Sequence, residues 1–137
     1  MVALNAWYGD ELISIRGAED LDLLLDRMTR EHAAAPAPPL LQISRRERGS
    51  WAILHVGLNH NRGVVGHTDK SGAVISTDGT TPTGRDLTYD HRGEPHPMPS
   101  NAEVPAANVR QAAHDFLRTD GARPTCVQWQ ITVSPAD

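Results

Sequence analysis

WAILHVGLNHNRGVVGH, residues 51–67, sets two apolar runs on either side of NHNRG. Runs of this length, rich in Val, Ile and Trp and parted by a turn composition, predict an antiparallel hairpin rather than a helix. The same alternation extends outward on both sides. From residue 40 to residue 96 the apolar runs LLQI, WAILHVGL, GVVGH, AVIS and DLTY are separated by RRERGS, NHNRG, TDKSG, TDGTTPTG and DHRGEP, which are turn and loop compositions. Four to six antiparallel strands are expected there.

The flanks carry a different period. In GAEDLDLLLDRMTREH, residues 17–32, Leu21, Leu24, Leu25 and Met28 recur at i, i+3, i+4 and i+7, with Asp22, Asp26, Arg27 and Arg30 on the other faces. This predicts an amphipathic helix with Gly17 as N-cap, Glu19 and Asp20 on the positive end of its dipole, and AAAPAPP as its stop. Ahead of it, runs at 2–8 and 12–16 parted by Gly9, Asp10 and Glu11 predict a hairpin. A second helix is expected after Pro105, with Val109, Ala112, Ala113, Phe116 and Leu117 as its stripe and Gly121 as its stop. The last strand, TCVQWQI, alternates so that Val127, Trp129 and Ile131 share the core face. The order hairpin, helix, meander, helix, strand predicts one α+β domain over residues 1–137, a predominantly antiparallel sheet with two amphipathic helices packed on it.

Composition narrows the function classes. Seventeen acidic residues against thirteen basic ones give a net charge of −4, the wrong sign for direct nucleic-acid binding through phosphates and a better match to a basic partner. The N-terminus has no basic stretch followed by a long apolar run, no membrane-length apolar segment occurs, and the cysteine is solitary. These features predict a cytoplasmic protein without a membrane partner.

Motifs for chemistry are sparse. Cys126 follows a predicted helix C-terminus, where the dipole raises rather than lowers a thiol pKa, so it reads as a packed structural thiol. Among seven histidines, His55, His60 and His67 flank the central hairpin, and His55 and His67 are candidate cross-strand neighbours. Neither HExxH nor CxxC accompanies them, and no metal or cofactor is expected. TDGTTPTGRD is not a P-loop, and there is no GxSxG elbow. Asp10 with Glu11, and Glu19 with Asp20, read as a turn and a helix start. No catalytic residue is proposed.

Charge distribution says more. Residues 69–103 carry Asp69, Asp78, Asp86, Asp90, Glu94 and Glu103 against Lys70, Arg85 and Arg92, while Arg45, Arg46 and Arg48 form a basic run. The acidic excess in loop-rich sequence nominates Asp69, Asp78, Asp86, Asp90 and Glu94 as a docking face for a basic partner.

Several segments together carry a family resemblance. The hairpin WYGDELISI, the helix motif at 20–27, VGL at 56–58 with GVV at 63–65, EVP at 103–105 and above all RPTCVQWQ at 123–130 are similar to the Imm1 family of immunity proteins from bacterial polymorphic toxin systems, over nearly the whole chain. The resemblance implies a cytoplasmic inhibitor that binds a cognate toxin domain, a nucleic-acid deaminase acting on DNA cytosine, and blocks its substrate groove without catalysis. A small enzyme or a general protein-interaction module are the competing readings. On the resemblance, Leu21, Leu25, Phe116, Val127 and Trp129 hold the scaffold and the loops meet the toxin.

Overall fold

Residues 51–67 form the expected hairpin from β4 (Ser50–Asn59) and β5 (Arg62–Asp69), with Val56 opposite Val65. The computed structural model describes residues 4–32, 37–47, 50–84, 86–91 and 93–131. The expectations placed on Val2, on 33–36, on the Arg46 side chain, and on Arg48, Arg85 and Arg92 lie outside the described residues.

Around the central hairpin the chain adds β1 (Leu4–Tyr8), β2 (Glu11–Ile15), α1 (Ala18–His32), β3 (Leu40–Glu47), β6 (Gly72–Thr77), β7 (Leu87–His91), β8 (Glu94–Met98), β9 (Val104–Pro105), α2 (Ala106–Arg118) and β10 (Gln128–Ile131). The large sheet runs β10-β6-β5-β4-β3-β1-β2, every named pair antiparallel, and β9 pairs with the start of β5. Between its two partners β6 and β9, β5 needs a substitute acceptor. Ser76 supplies it: its hydroxyl accepts the Val65 amide at 3.1 Å and donates to the Ala102 carbonyl at 2.7 Å.

Both helices lie on one face. Leu21, Leu24, Leu25 and Met28 of α1 and Val109, Ala112, Ala113 and Phe116 of α2 are buried against Leu41, Ile43, Leu54, Val56 and Val65 of the sheet. That is the stripe the 3.6 period requires. Asp22 and Asp26 join the helices, with Arg110 at 3.3 and 3.0 Å and His114 Nε2 at 2.7 Å from Asp22. At the α1 entry, the Gly17 carbonyl accepts from Leu21 and the Asp20 carboxylate reaches back to the Arg16 amide.

The opposite face is partly covered by the β7–β8 hairpin. Tyr89 and Met98 are buried against Leu40, Val64 and Ile75, and Tyr89 Oη donates to Glu103 Oε2 at 2.7 Å. Neither β8 nor β9 was anticipated in the sequence. Pro95 and Pro97 disguise β8, and proline is tolerated there because β8 pairs only with β7 among the described residues, which leaves its other side without ladder bonds.

Three further expectations are corrected. The α2 terminus is a Schellman turn in which Asp120 (φ 58) takes the left-handed position and Gly121 (φ 102) follows it; Gly121 donates to the Phe116 carbonyl and Asp120 to that of Leu117. Cys126 precedes the last strand instead of lying in it. Ile131 is 79 % exposed at the end of β10, an edge strand of the sheet, while Val127 and Trp129 do pack against the core.

Candidate functional site

The five nominated carboxylates divide into two groups. Asp86 precedes the β7–β8 hairpin, Asp90 lies in β7 and Glu94 begins β8, so these three travel on one structural unit. Asp69 and Asp78 flank β6, roughly 20 Å apart at about 3.3 Å per residue. Their carboxylates are occupied locally. Asp69 accepts the Ser71 amide at 2.8 Å, and Asp78 accepts the Thr80 amide and hydroxyl at 2.8 and 2.6 Å. Those bonds hold both acids below the usual carboxylate range.

Of the hairpin acids, Asp90 borders a cleft beside α1. The Asp90 amide donates to the Pro38 carbonyl at 2.7 Å, which brings the end of β7 to the β1–β2 turn. A cleft of about 280 Å³ lies there, lined by Asp90, Pro39, Tyr8, Gly9, Glu31 and Arg27. Arg27 also borders a second cleft, of about 270 Å³, between β2 and α1, floored by Ile13 and Leu24 with Leu23 at its lip. Arg16 leads from this one to a third, of about 440 Å³, between the start of α1 and the end of α2.

Arg27 is the hub of this surface. Its Nη2 contacts Glu11 Oε1 and its Nε contacts Glu31 Oε1, each at 2.8 Å, and its guanidinium lies 4.9 Å from the Tyr8 ring centroid. Glu11 is held below the ordinary range by the bond from Arg27. The carboxylates around Arg27 are Glu11 and Glu31, with Asp90 in the same cleft as Glu31. Two leucines are exposed beside Arg27, Leu12 at 54 % and Leu23 at 62 %. The sequence held one usable signal: Leu23 is the leucine in LDLLLDRM that the buried stripe leaves out.

The histidines are rearranged relative to expectation. His67 pairs with Leu54 and His55 with Gly66, so the two rings sit on opposite faces of the sheet. His67 is buried against Phe116 and Trp129, with Nε2 3.0 Å from the Gly121 carbonyl. His55 instead meets the hairpin: its ring centroid is 5.4 Å from that of His91, which is 5.8 Å from that of His96. Burial first, then the neighbouring imidazoles, pushes His55 down to about 4. Among the described residues no three side chains are arranged to hold a metal ion.

Cys126 is half-buried against the core, and its thiol donates to the Asn108 carbonyl at 3.6 Å. Burial, followed by the Asp115 carboxylate, pushes the thiol above its ordinary value, which suppresses the thiolate. Among the described residues, no helix is long and apolar enough to cross a membrane. Against known proteins, a family model described as immunity protein Imm1 matches residues 9–131. No curated protein matches the chain.

Proposed function

Because the chain belongs to the Imm1 family of immunity proteins, we propose that it binds a cognate toxin domain, a nucleic-acid deaminase acting on DNA cytosine, and neutralises it by occluding the substrate groove. The observation that carries this reading beyond the family is the acidic β7–β8 segment, with Asp86, Asp90 and Glu94, of which Asp90 lines the cleft beside Arg27 and Glu31. A deaminase that holds a nucleic-acid strand needs a cationic groove, and carboxylates presented on a hairpin compete there with phosphates. Asp69 and Asp78 would extend the acidic field without sharing the hairpin. Inhibition is then binding alone, with no reaction by this chain. It takes place in the cytoplasm and requires no direct contact with nucleic acid or membrane.

Co-expression with the toxin domain encoded beside the gene tests the reading. Growth should be restored, uracil should stop accumulating in the DNA of cells lacking uracil repair, and the two proteins should co-purify. Restored growth without a complex would overturn occlusion. Toxicity without uracil would overturn the deaminase assignment.

A further inference from the structure

Strand β2 is the outermost strand of the large sheet, with β1 on one side and no strand on the other among the described residues. Its hairpin with β1 turns through two residues, Gly9 (φ 61) and Asp10, so Tyr8 and Glu11 form the closing hydrogen-bonded pair. Alternation from that pair directs the backbone groups of Ile13 and Ile15 toward β1, and those of Leu12 and Ser14 toward the open side. Exposed edges are usually blunted by lysine, proline, a bulge or a covering loop. The strand ELISI has neither lysine nor proline and pairs in unbroken register, and its one charge, Glu11, is turned onto Arg27. Beside the edge, the groove floored by Ile13 and Leu24 is bordered by exposed Leu23, and its lining includes Glu11 and Asp20, paired with Arg27 and Arg16.

An open row of amides beside an apolar groove accepts an extended strand, whose alternate side chains enter the groove. Charge decides which strand. A second copy paired antiparallel would be related by a two-fold axis and would bring together two chains of net charge −4. Like charges meeting across an interface oppose that arrangement. A basic chain meets no such penalty. We propose that β2 and the α1 groove receive an extended strand of the toxin, with an apolar side chain seated over Ile13 against Leu23 and cationic side chains directed to Glu11 and Asp20. The inference rests on the immunity reading and deepens it by naming the surface: Arg27, common to both clefts, joins this edge to Asp90 of the hairpin.

The test uses the full chain and the purified toxin domain encoded beside its gene, inactivated at its catalytic residue. On complex formation, amide exchange at Leu12 and Ser14 should slow at least about tenfold, the signature of new strand hydrogen bonds. Ser14→Pro and Leu23→Lys should each weaken binding by about tenfold or more, as expected when one interfacial hydrogen bond or one seated apolar side chain is removed. Leu23→Lys alters an exposed side chain and keeps the test valid if Ser14→Pro unfolds. If the wild-type chain binds the toxin while Leu12 and Ser14 exchange as in the free protein, the edge is not the interface, although the immunity reading stands. Failure of the wild-type chain to bind overturns the immunity reading and this inference with it. A concentration-dependent homodimer that already protects Leu12 and Ser14 would assign the edge to a second copy and overturn the proposal.

Discussion

A methyl group at Gly63 would collide with the carbonyl oxygen of Gly57 and press on Val109, whereas one at Gly66 would make ordinary contacts with the Val74 carbonyl at 3.5 Å and the His55 Cβ at 3.8 Å. Gly63→Ala should therefore cost about 3 kcal/mol or more or prevent folding, and Gly66→Ala no more than about 1 kcal/mol, measured by denaturant melts. Both glycines stand in the same strand of the sequence, and what separates them is the close approach of the β4 backbone at Gly57, with Val109 of α2 beside it. Cys126 offers a milder test. Cys126→Ser should cost about 1 kcal/mol or less and leave toxin protection intact, since a hydroxyl can still donate to Asn108; loss of protection by a folded variant would contradict the structural role. Trp129 is only partly buried, with Nε1 donating to the Pro124 carbonyl at 2.8 Å. Its replacement by alanine should cost roughly 2 kcal/mol, below the range for a fully buried tryptophan.

Among the elements, the β7–β8 hairpin has the most conditional hold on the rest. Part of it is fixed by Tyr89 and Met98, and part by the edge-to-face contacts of His91 with His55 and His96. His55 stays neutral in the fold down to about pH 4 but titrates near 6.5 when unfolded. Between those values the unfolded chain binds more protons than the native one, so stability falls as pH drops from about 6.5 to about 4 and levels off below. The loss from His55 amounts to roughly 3 kcal/mol over that window. Thermal melts at pH 7 and pH 5 should show it, and His55→Gln should flatten the dependence. An equal slope in the variant would remove His55 as the cause. The two helices show why element-level charge is easily misread. Asp22 and Asp26 look like free surface acids on a helical wheel, yet they bind Arg110 and His114 of α2. Their reversal would disturb helix packing as well as charge, and they make a poor control for any docking experiment.

At the scale of the whole molecule, the acids can be tested by group. Converting Asp86, Asp90 and Glu94 to lysine should slow toxin association by about tenfold or more at low salt, and the deficit should shrink as salt screens the charges. The same change at Asp69 and Asp78 should have a smaller effect, because these carboxylates lie off the hairpin and are engaged with Ser71 and Thr80. Association rates at two salt concentrations distinguish the groups, and an equal effect from both would deny the hairpin its special role. The chain's local order was legible without coordinates. The α1 and α2 stripes, the central hairpin and the α+β class follow from periods of 3.6 and 2 that backbone geometry imposes on any sequence, and the near-terminal RPTCVQWQ pointed to the family that the match over residues 9–131 establishes. What lay beyond reach was everything that depends on which distant segments become neighbours. That His55 meets His91 rather than His67, that Pro95 and Pro97 belong to a strand, that Ile131 is exposed and that β2 has an open side are consequences of strand order and register. Periodicity fixes which face of an element turns inward, but it carries no information about what that face will find there, because pairing across the sheet is decided by the combined packing of all the elements.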